Sequence, residues 1–192
     1  MRPRNNSFEN QRVGIFIDVQ NLYHSAKNLY HGRVNYPELI RYLVGVRQLI
    51  RSMAYVVKSE IGPDAPKGKT GESSRPGGAR LALSGEAAFF EALEKAGLEL
   101  RCKDLQVYPD GLKKADWDVG MAVDAIRMSD SLDVVILVTG DGDFIPLVDY
   151  LKWGQGKYVE VAAFGGSASS KLQDVADRFI NMTSIPRVIL RK

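Results

Sequence analysis

The sequence predicts an α/β protein built on a mostly parallel sheet. Apolar runs of strand length alternate with longer segments of helical spacing, which is the pattern of strand-to-helix units. Some of these runs are apolar almost throughout, as expected of strands covered on both faces. Crossovers between such strands are right-handed, and functional sites on such sheets lie outside the carboxyl ends of the strands.

Taken in order, "RVGIFID" (Arg12 to Asp18) is a buried strand closing on an acid, and Leu22, Ala26 and Leu29 after it carry helical spacing. "NYPELIRYL" opens a second helix, with Asn35 three residues before Glu38 as a capping pattern and Pro37 in the first turn. "RSMAYVV" (Arg51 to Val57) is the second strand. From Gly62 to Gly78 the chain is rich in Gly, Pro, Ser and Lys and is expected to be a mobile loop. Gly85 to Gly97 form a helix ending at a glycine cap, and "LELRCKDL" follows as an alternating strand. Asp116 to Ser129 form a helix with Asp116 as its N-cap, and "DVVILVTGD" is a fully buried strand. "DFIPLVDYLKWG" is the next helix, "YVEVAAF" the last core strand and "SSKLQDVADRF" the last helix.

At 192 residues the chain suits one domain, here expected over 12–183, between a flexible N-terminal tail (1–11) and a basic C-terminal tail (184–192). No window approaches the roughly 18 to 20 apolar residues of a membrane span, and the start lacks the apolar stretch of a signal peptide, so a cytoplasmic protein with no membrane partner is expected. The single Cys102 excludes an internal disulfide and is expected to be at least half-buried; His24 and His31 lack the partners of a zinc motif and are expected at the surface. A net charge of +3, from 26 basic and 23 acidic side chains, is too mild to identify a polyanionic partner by itself.

The acids carry the chemistry. Asp18 and Asp141 each close a buried strand, Asp143 follows Asp141 across one glycine, and Asp118 falls in the first turn of the preceding helix. Carboxylates converging at one sheet edge raise one another's pKa unless cations intervene, and hard divalent ions with oxygen ligands suit such a site. Each acid also has an ordinary use: Asp143 as a helix cap, Asp118 as a charge at a helix N-terminus. Asp124 lies six residues after Asp118, about 120° around the helix, and is a candidate supporting group together with the hydroxyl of Thr139. Asn21 offers an amide to a carboxylate or a phosphate, and Gly140 and Gly142 permit a tight turn and close approach to a ligand.

With these residues in place, the chain resembles the NYN domain family, PIN-like nuclease relatives that include a LabA-like bacterial branch. The resemblance runs through "GIFIDVQNLY" (Gly14 to Tyr23), "KKADWDVGMAVDAI" (Lys113 to Ile126), "ILVTGDGDFIPLVDYLKWG" (Ile136 to Gly154) and "VEVAAFGGSASSKLQDVADRFI" (Val159 to Ile180), nearly the whole chain in order. Asp18 and Asn21 match the family's aspartate and asparagine after the first strand, and Asp141 and Asp143 its third motif. In "KADWD", Lys114 and Asp118 match, whereas Ala115 and Asp116 stand where glycine is usual.

The resemblance implies a three-layer α/β/α sandwich and metal-dependent cleavage of RNA, with Asp18, Asp118, Asp141 and Asp143 holding Mg²⁺ or Mn²⁺ and Asn21 among the catalytic residues. Single-stranded RNA is the expected substrate, and a homodimer is compatible with this reading. An acidic pocket repels a phosphate backbone, so cations at the rim must attract it: Lys67, Lys69, Arg75 and Arg80 in or beside the loop, Lys113 and Lys114 before the acid helix, and the tail "PRVILRK". Tyr23 and Trp117 flank the acids and either stack unpaired bases or fill the core.

Rival readings are a non-catalytic RNA-binding or regulatory module on the same fold, a phosphotransfer enzyme and a dinucleotide-binding fold. The phosphotransfer reading wants a second acid where Gln20 stands, and the dinucleotide fold wants a glycine-rich turn where "DVQN" stands. A Toprim-like site usually takes a glutamate as its first acid.

Overall fold

β1 (Arg12–Asp18) is the middle of the molecule because every residue from Val13 to Ile17 is buried, with side chains alternating between two separate cores. In this computed structural model the described residues are 9–58, 77–107, 113–114 and 116–191, the side chains of 77–84, 106–107 and 113–114 excepted. The chain continues through α1 (Val19–Tyr30), β2 (Gly32–Val34), α2 (Tyr36–Val44), β3 (Gln48–Lys58), α3 (Gly77–Lys95), β4 (Glu99–Asp104) and the short β5 (Gln106–Val107) and β6 (Lys113–Lys114). It then forms α4 (Asp118–Met128), β7 (Val134–Val138), α5 (Ile145–Asp149), β8 (Tyr158–Ala163), α6 (Ser170–Val175), β9 (Arg178–Asn181) and β10 (Ile189–Arg191).

The main sheet has the order β4-β3-β1-β7-β8-β9, and all five pairings are parallel. Ile15, Ile17, Ile136 and Val138 face one core, closed by α1, α2 and Leu93 of α3. Phe16, Tyr55, Val135 and Leu137 face the other, closed by Met121 and Ala125 of α4, Leu147 and Val148 of α5, and Leu172 of α6. The result is a three-layer α/β/α sandwich of the PIN-like kind.

The chain leaves β1 toward β3 and β4 on one side, and leaves β7 toward β8 and β9 on the other. The carboxyl ends of β1 and β7 therefore flank the topological switch point, where open α/β sheets leave a crevice. Asn35 caps α2 as its sequence signals, accepting from the amide of Glu38, and Gly97, at φ +85°, ends the turn after α3 as expected of a glycine cap.

Several expectations change. α3 begins at Gly77 rather than Gly85, and the rest of the expected mobile loop lies outside the described residues. The expected last helix stops at Val175. Asp177 then bonds Val159 through both its backbone amide (2.9 Å) and its carboxylate (2.8 Å), so the chain is drawn onto β8 and Arg178–Asn181 become an edge strand. The expected basic tail is largely packed: Ile185 and Val188 are buried, and β10 pairs antiparallel with β2. Cys102 is exposed, on the edge strand β4. Trp117, not Asp116, occupies the N-cap of α4 and makes no side-chain cap bond. No described helix is long and apolar enough to cross a membrane.

Candidate active site

β1 and β7 pair in register, with Ile17 opposite Val138, so Asp18 and Thr139 leave the sheet side by side. The Thr139 hydroxyl donates to Asp18 at 3.3 Å and accepts from the Asp141 amide at 3.2 Å. Asp18 is also the N-cap of α1: its other carboxylate oxygen accepts from the Asn21 amide at 3.0 Å. The Asn21 side-chain oxygen accepts from the Gly140 amide at 3.0 Å, tying the first turn of α1 to the turn after β7. That contact directs the NH₂ group of the amide away from Gly140. Asp141 in turn caps the 3₁₀ turn Gly142–Phe144 by accepting from the Asp143 amide at 3.0 Å. The capping role expected of Asp143 thus belongs to Asp141, and Asp143 is exposed.

Asp118, Asp141 and Asp143 each present a carboxylate oxygen within 4.8 Å of the other two. Asp118 arrives from the first turn of α4 and the other pair from the turn after β7, so two separate segments build the cluster. Burial and then the negative charges of Asp18, Asp141, Asp116 and Asp143 raise the Asp118 carboxyl to about 6. Asp18 is also raised, chiefly by burial, against the opposing effect of the bonds from Asn21 and Thr139. Among the described residues, no ion pair involves Asp18, Asp118, Asp141 or Asp143. Three converging oxygen donors suit a hard divalent ion, and this donor set fits Mg²⁺ or Mn²⁺. Asp18 adjoins the trio and senses its charge, with its two oxygens already bonded to α1 and Thr139.

The other sequence candidates disperse. Asp124 accepts from the Tyr55 hydroxyl at 3.1 Å and pairs with Arg101 at 3.4 Å, so it links α4 to β3 and β4 instead of joining the acids. Burial and that same carboxylate hold the Tyr55 phenol above its ordinary range. Trp117 is half-buried, donates from Nε1 to the Val56 carbonyl at 3.0 Å and packs edge-on against Tyr55, which is a packing role. Lys67, Lys69 and Arg75 lie outside the described residues. Arg80 falls in α3 and Lys113 and Lys114 in β6, with their side chains outside the described residues too.

Two contributors were missed in the sequence. The small-residue run "GGSASS" after β8 packs on the acid turn: the Ser169 amide donates to the Gly140 carbonyl at 2.9 Å. A Cβ on Gly140 would lie 3.0 Å from the Ala168 Cα, and one on Gly142 3.0 Å from the Ser169 Oγ. The two glycines of "GDGD" therefore admit this neighbouring loop, which holds the turn from behind. The signal was the run of small residues itself. The second contributor is Lys103, whose ammonium reaches the Asp116 carbonyl at 3.2 Å and lies 5.8 Å from the centre of the Trp117 ring, next to the start of α4.

Comparison with known proteins adds three findings. The family model of the NYN domain matches residues 12–183. The low amplitude and bright protein LabA of Synechococcus elongatus is 26% identical over 106 residues, which cover 52% of this chain and 56% of that protein, so the chain spans little more than half of that relative's length. The crystal structure of a protein of unknown function from Vibrio parahaemolyticus superposes with a TM-score of 0.75 at 27% identity, over 95% of this chain and 98% of that one.

Proposed function

Since the chain belongs to the NYN domain family, we propose that it is a metal-dependent ribonuclease that hydrolyses phosphodiester bonds of single-stranded RNA. The observation that carries this is the trio Asp118, Asp141 and Asp143, converging within 4.8 Å at the switch point of the sheet with no ion pair to it among the described residues.

Asp118, Asp141 and Asp143 hold Mg²⁺ or Mn²⁺, with Asp18 joining directly or through water. When bound, a divalent ion supplies Lewis acidity, activation of water near neutral pH and neutralisation of charge on the phosphoryl oxygens. Thr139 orients Asp18 and fixes the Asp141 amide, and in this reading the NH₂ group of Asn21 donates to a phosphate oxygen or to the attacking water. The N-terminus of α4 adds the favourable end of a helix dipole for an anionic backbone.

The second reading is a non-catalytic RNA-binding or regulatory module. It draws on the capping bonds of Asp18 and Asp141, which give both acids a purpose in the fold.

Cleavage of end-labelled single-stranded RNA by purified protein in Mg²⁺, Mn²⁺ or EDTA separates the two. The nuclease reading expects cleavage that needs metal and disappears in Asp143→Asn, whose exposed carboxylate accepts no hydrogen bond among the described residues. Salt-sensitive RNA binding without cleavage, unchanged in that variant, would establish the non-catalytic module.

A further inference from the structure

A concavity lies on the α1–α2–α3 side of the sheet, the side opposite α4. It is a groove of about 800 Å³ between α1, the β2–α2 junction and α3, within the roughly 300–1,000 Å³ of pockets that enclose organic ligands. Its walls are apolar and include the rings of Tyr23, Tyr36 and Phe89, with Tyr36 and Phe89 in edge contact at 6.2 Å between centres. Lys27, His31 and Arg33 also line it, and all three are exposed. Among the described residues that line it, none is acidic.

The helix α1 links the groove to the acid site. The first turn of that helix carries Asn21, which bonds the acid turn; its second turn carries Tyr23, and Lys27 lies one turn further on. At 1.5 Å per residue, Tyr23 and Lys27 stand about 8 and 14 Å along the helix axis from Asp18. The Tyr36 phenol, raised above its ordinary range mainly by burial, also senses the charge of Asp18. Acids at one end and cations with aromatic faces at the other form a track of opposite polarity.

We infer that this groove holds the strand adjacent to the scissile phosphate, with one or more unpaired bases against Tyr23 and Phe89 and the backbone phosphates on Lys27 and Arg33. Aromatic faces accept any base, and a rim of cations tracks the phosphates, the two devices by which single strands are held without sequence preference. A duplex buries its bases in its own stack and offers none to such a groove, so the groove selects unpaired substrate. This inference rests on the ribonuclease reading and gives its single-stranded substrate a binding groove.

The test uses the full chain, a fluorescein-labelled oligouridylate of about 12 nucleotides, and anisotropy in EDTA so that nothing is cut. Lys27→Glu with Arg33→Glu is the first variant. The second is Ala88→Trp, at an exposed groove position, which fills the space without touching charge. Both are expected to weaken binding about tenfold or more. The double variant should also shrink the slope of log Kd against log salt by about 1.4, at about 0.7 per single-strand phosphate contact. Arg127→Glu, near the far end of α4, should bind as the parent does. Manganese-dependent hydrolysis of bis(p-nitrophenyl) phosphate, too small to reach the groove, should proceed at the parental rate in both groove variants. Parental affinity in both would overturn the groove, whatever the hydrolysis shows. Weakened RNA binding in a protein that hydrolyses neither substrate would uphold the groove and overturn the nuclease.

Discussion

Affinity for the divalent ion should collapse between pH 7 and pH 5, and the structure sets the scale. Asp118 is the ligand whose carboxyl is held at about 6, first by burial and then by the neighbouring acids. Ion binding needs that carboxylate charged, so protons and metal compete for it. With a value of about 6, roughly nine-tenths of Asp118 is ionised at pH 7 and roughly one-tenth at pH 5, which weakens binding about tenfold from this group alone. Stability carries the same signature with opposite sign. The folded value lies above the ordinary 3.8, so protonation of Asp118 favours the folded state; that contribution is complete below 3.8 and is lost as pH rises through about 6. Metal-free protein should therefore be penalised at pH 7 relative to pH 5 by this group. Saturating Mn²⁺ should raise Tm strongly at pH 7 and weakly at pH 5. Isothermal titration with Mn²⁺ at the two pH values, alongside thermal melts, reads both effects. A Kd that differs by less than about twofold between pH 5 and pH 7 would refute the placement of Asp118 among the ligands.

Four further substitutions carry expected outcomes, two behind the site and two at ion pairs elsewhere in the sheet. Gly140→Ala sets a Cβ 3.0 Å from the Ala168 Cα; it should cost about 1–3 kcal/mol in urea unfolding and weaken Mn²⁺ binding by displacing Asp141. Thr139→Val removes a fully buried hydroxyl that serves both Asp18 and the Asp141 amide; a loss of about 1–3 kcal/mol is expected by the same measurement, with metal affinity reduced. Arg47→Met removes two bonds at 3.0 Å from Glu160, a 2% exposed carboxylate in the middle of β8, and leaves it only the longer contact with Arg178 at 3.5 Å. It should cost about 3–5 kcal/mol, whereas Arg12→Met at the exposed pair with Asp133 should cost at most about 1 kcal/mol.

Much of this architecture is legible in the sequence because its signals are local. The buried run of β1, the Asn35 cap and the glycine after α3 each act within a few residues, and each appears where its pattern predicts. Chain order then places the ends of β1 and β7 together, since sequence alternation fixes a parallel sheet and a switch point follows from it. What the sequence hides is pairing between distant segments. "DVADRF" has helical spacing, yet Asp177 binds Val159 and the following residues become β9. The residues "VILR" look like a basic tail, but Val34 and its neighbours in β2 give them a strand to join. Within the site, Asp118, Asp141 and Asp143 were named by their positions at element ends. Asp124 has the same composition cue as these acids, and only the tertiary contact with Tyr55 and Arg101 shows that it points elsewhere. The loop behind Gly140 and Gly142 was invisible for the related reason that small residues advertise close packing without naming the partner.

The proposed chemistry depends on a cation among three carboxylates, and anomalous diffraction from crystals grown with millimolar Mn²⁺ examines that directly. One strong manganese peak is predicted between Asp118, Asp141 and Asp143, lost in crystals of Asp141→Asn. Crystals that diffract well and show no peak there, with the three carboxylates fully ordered, would contradict the metal site and with it the nuclease.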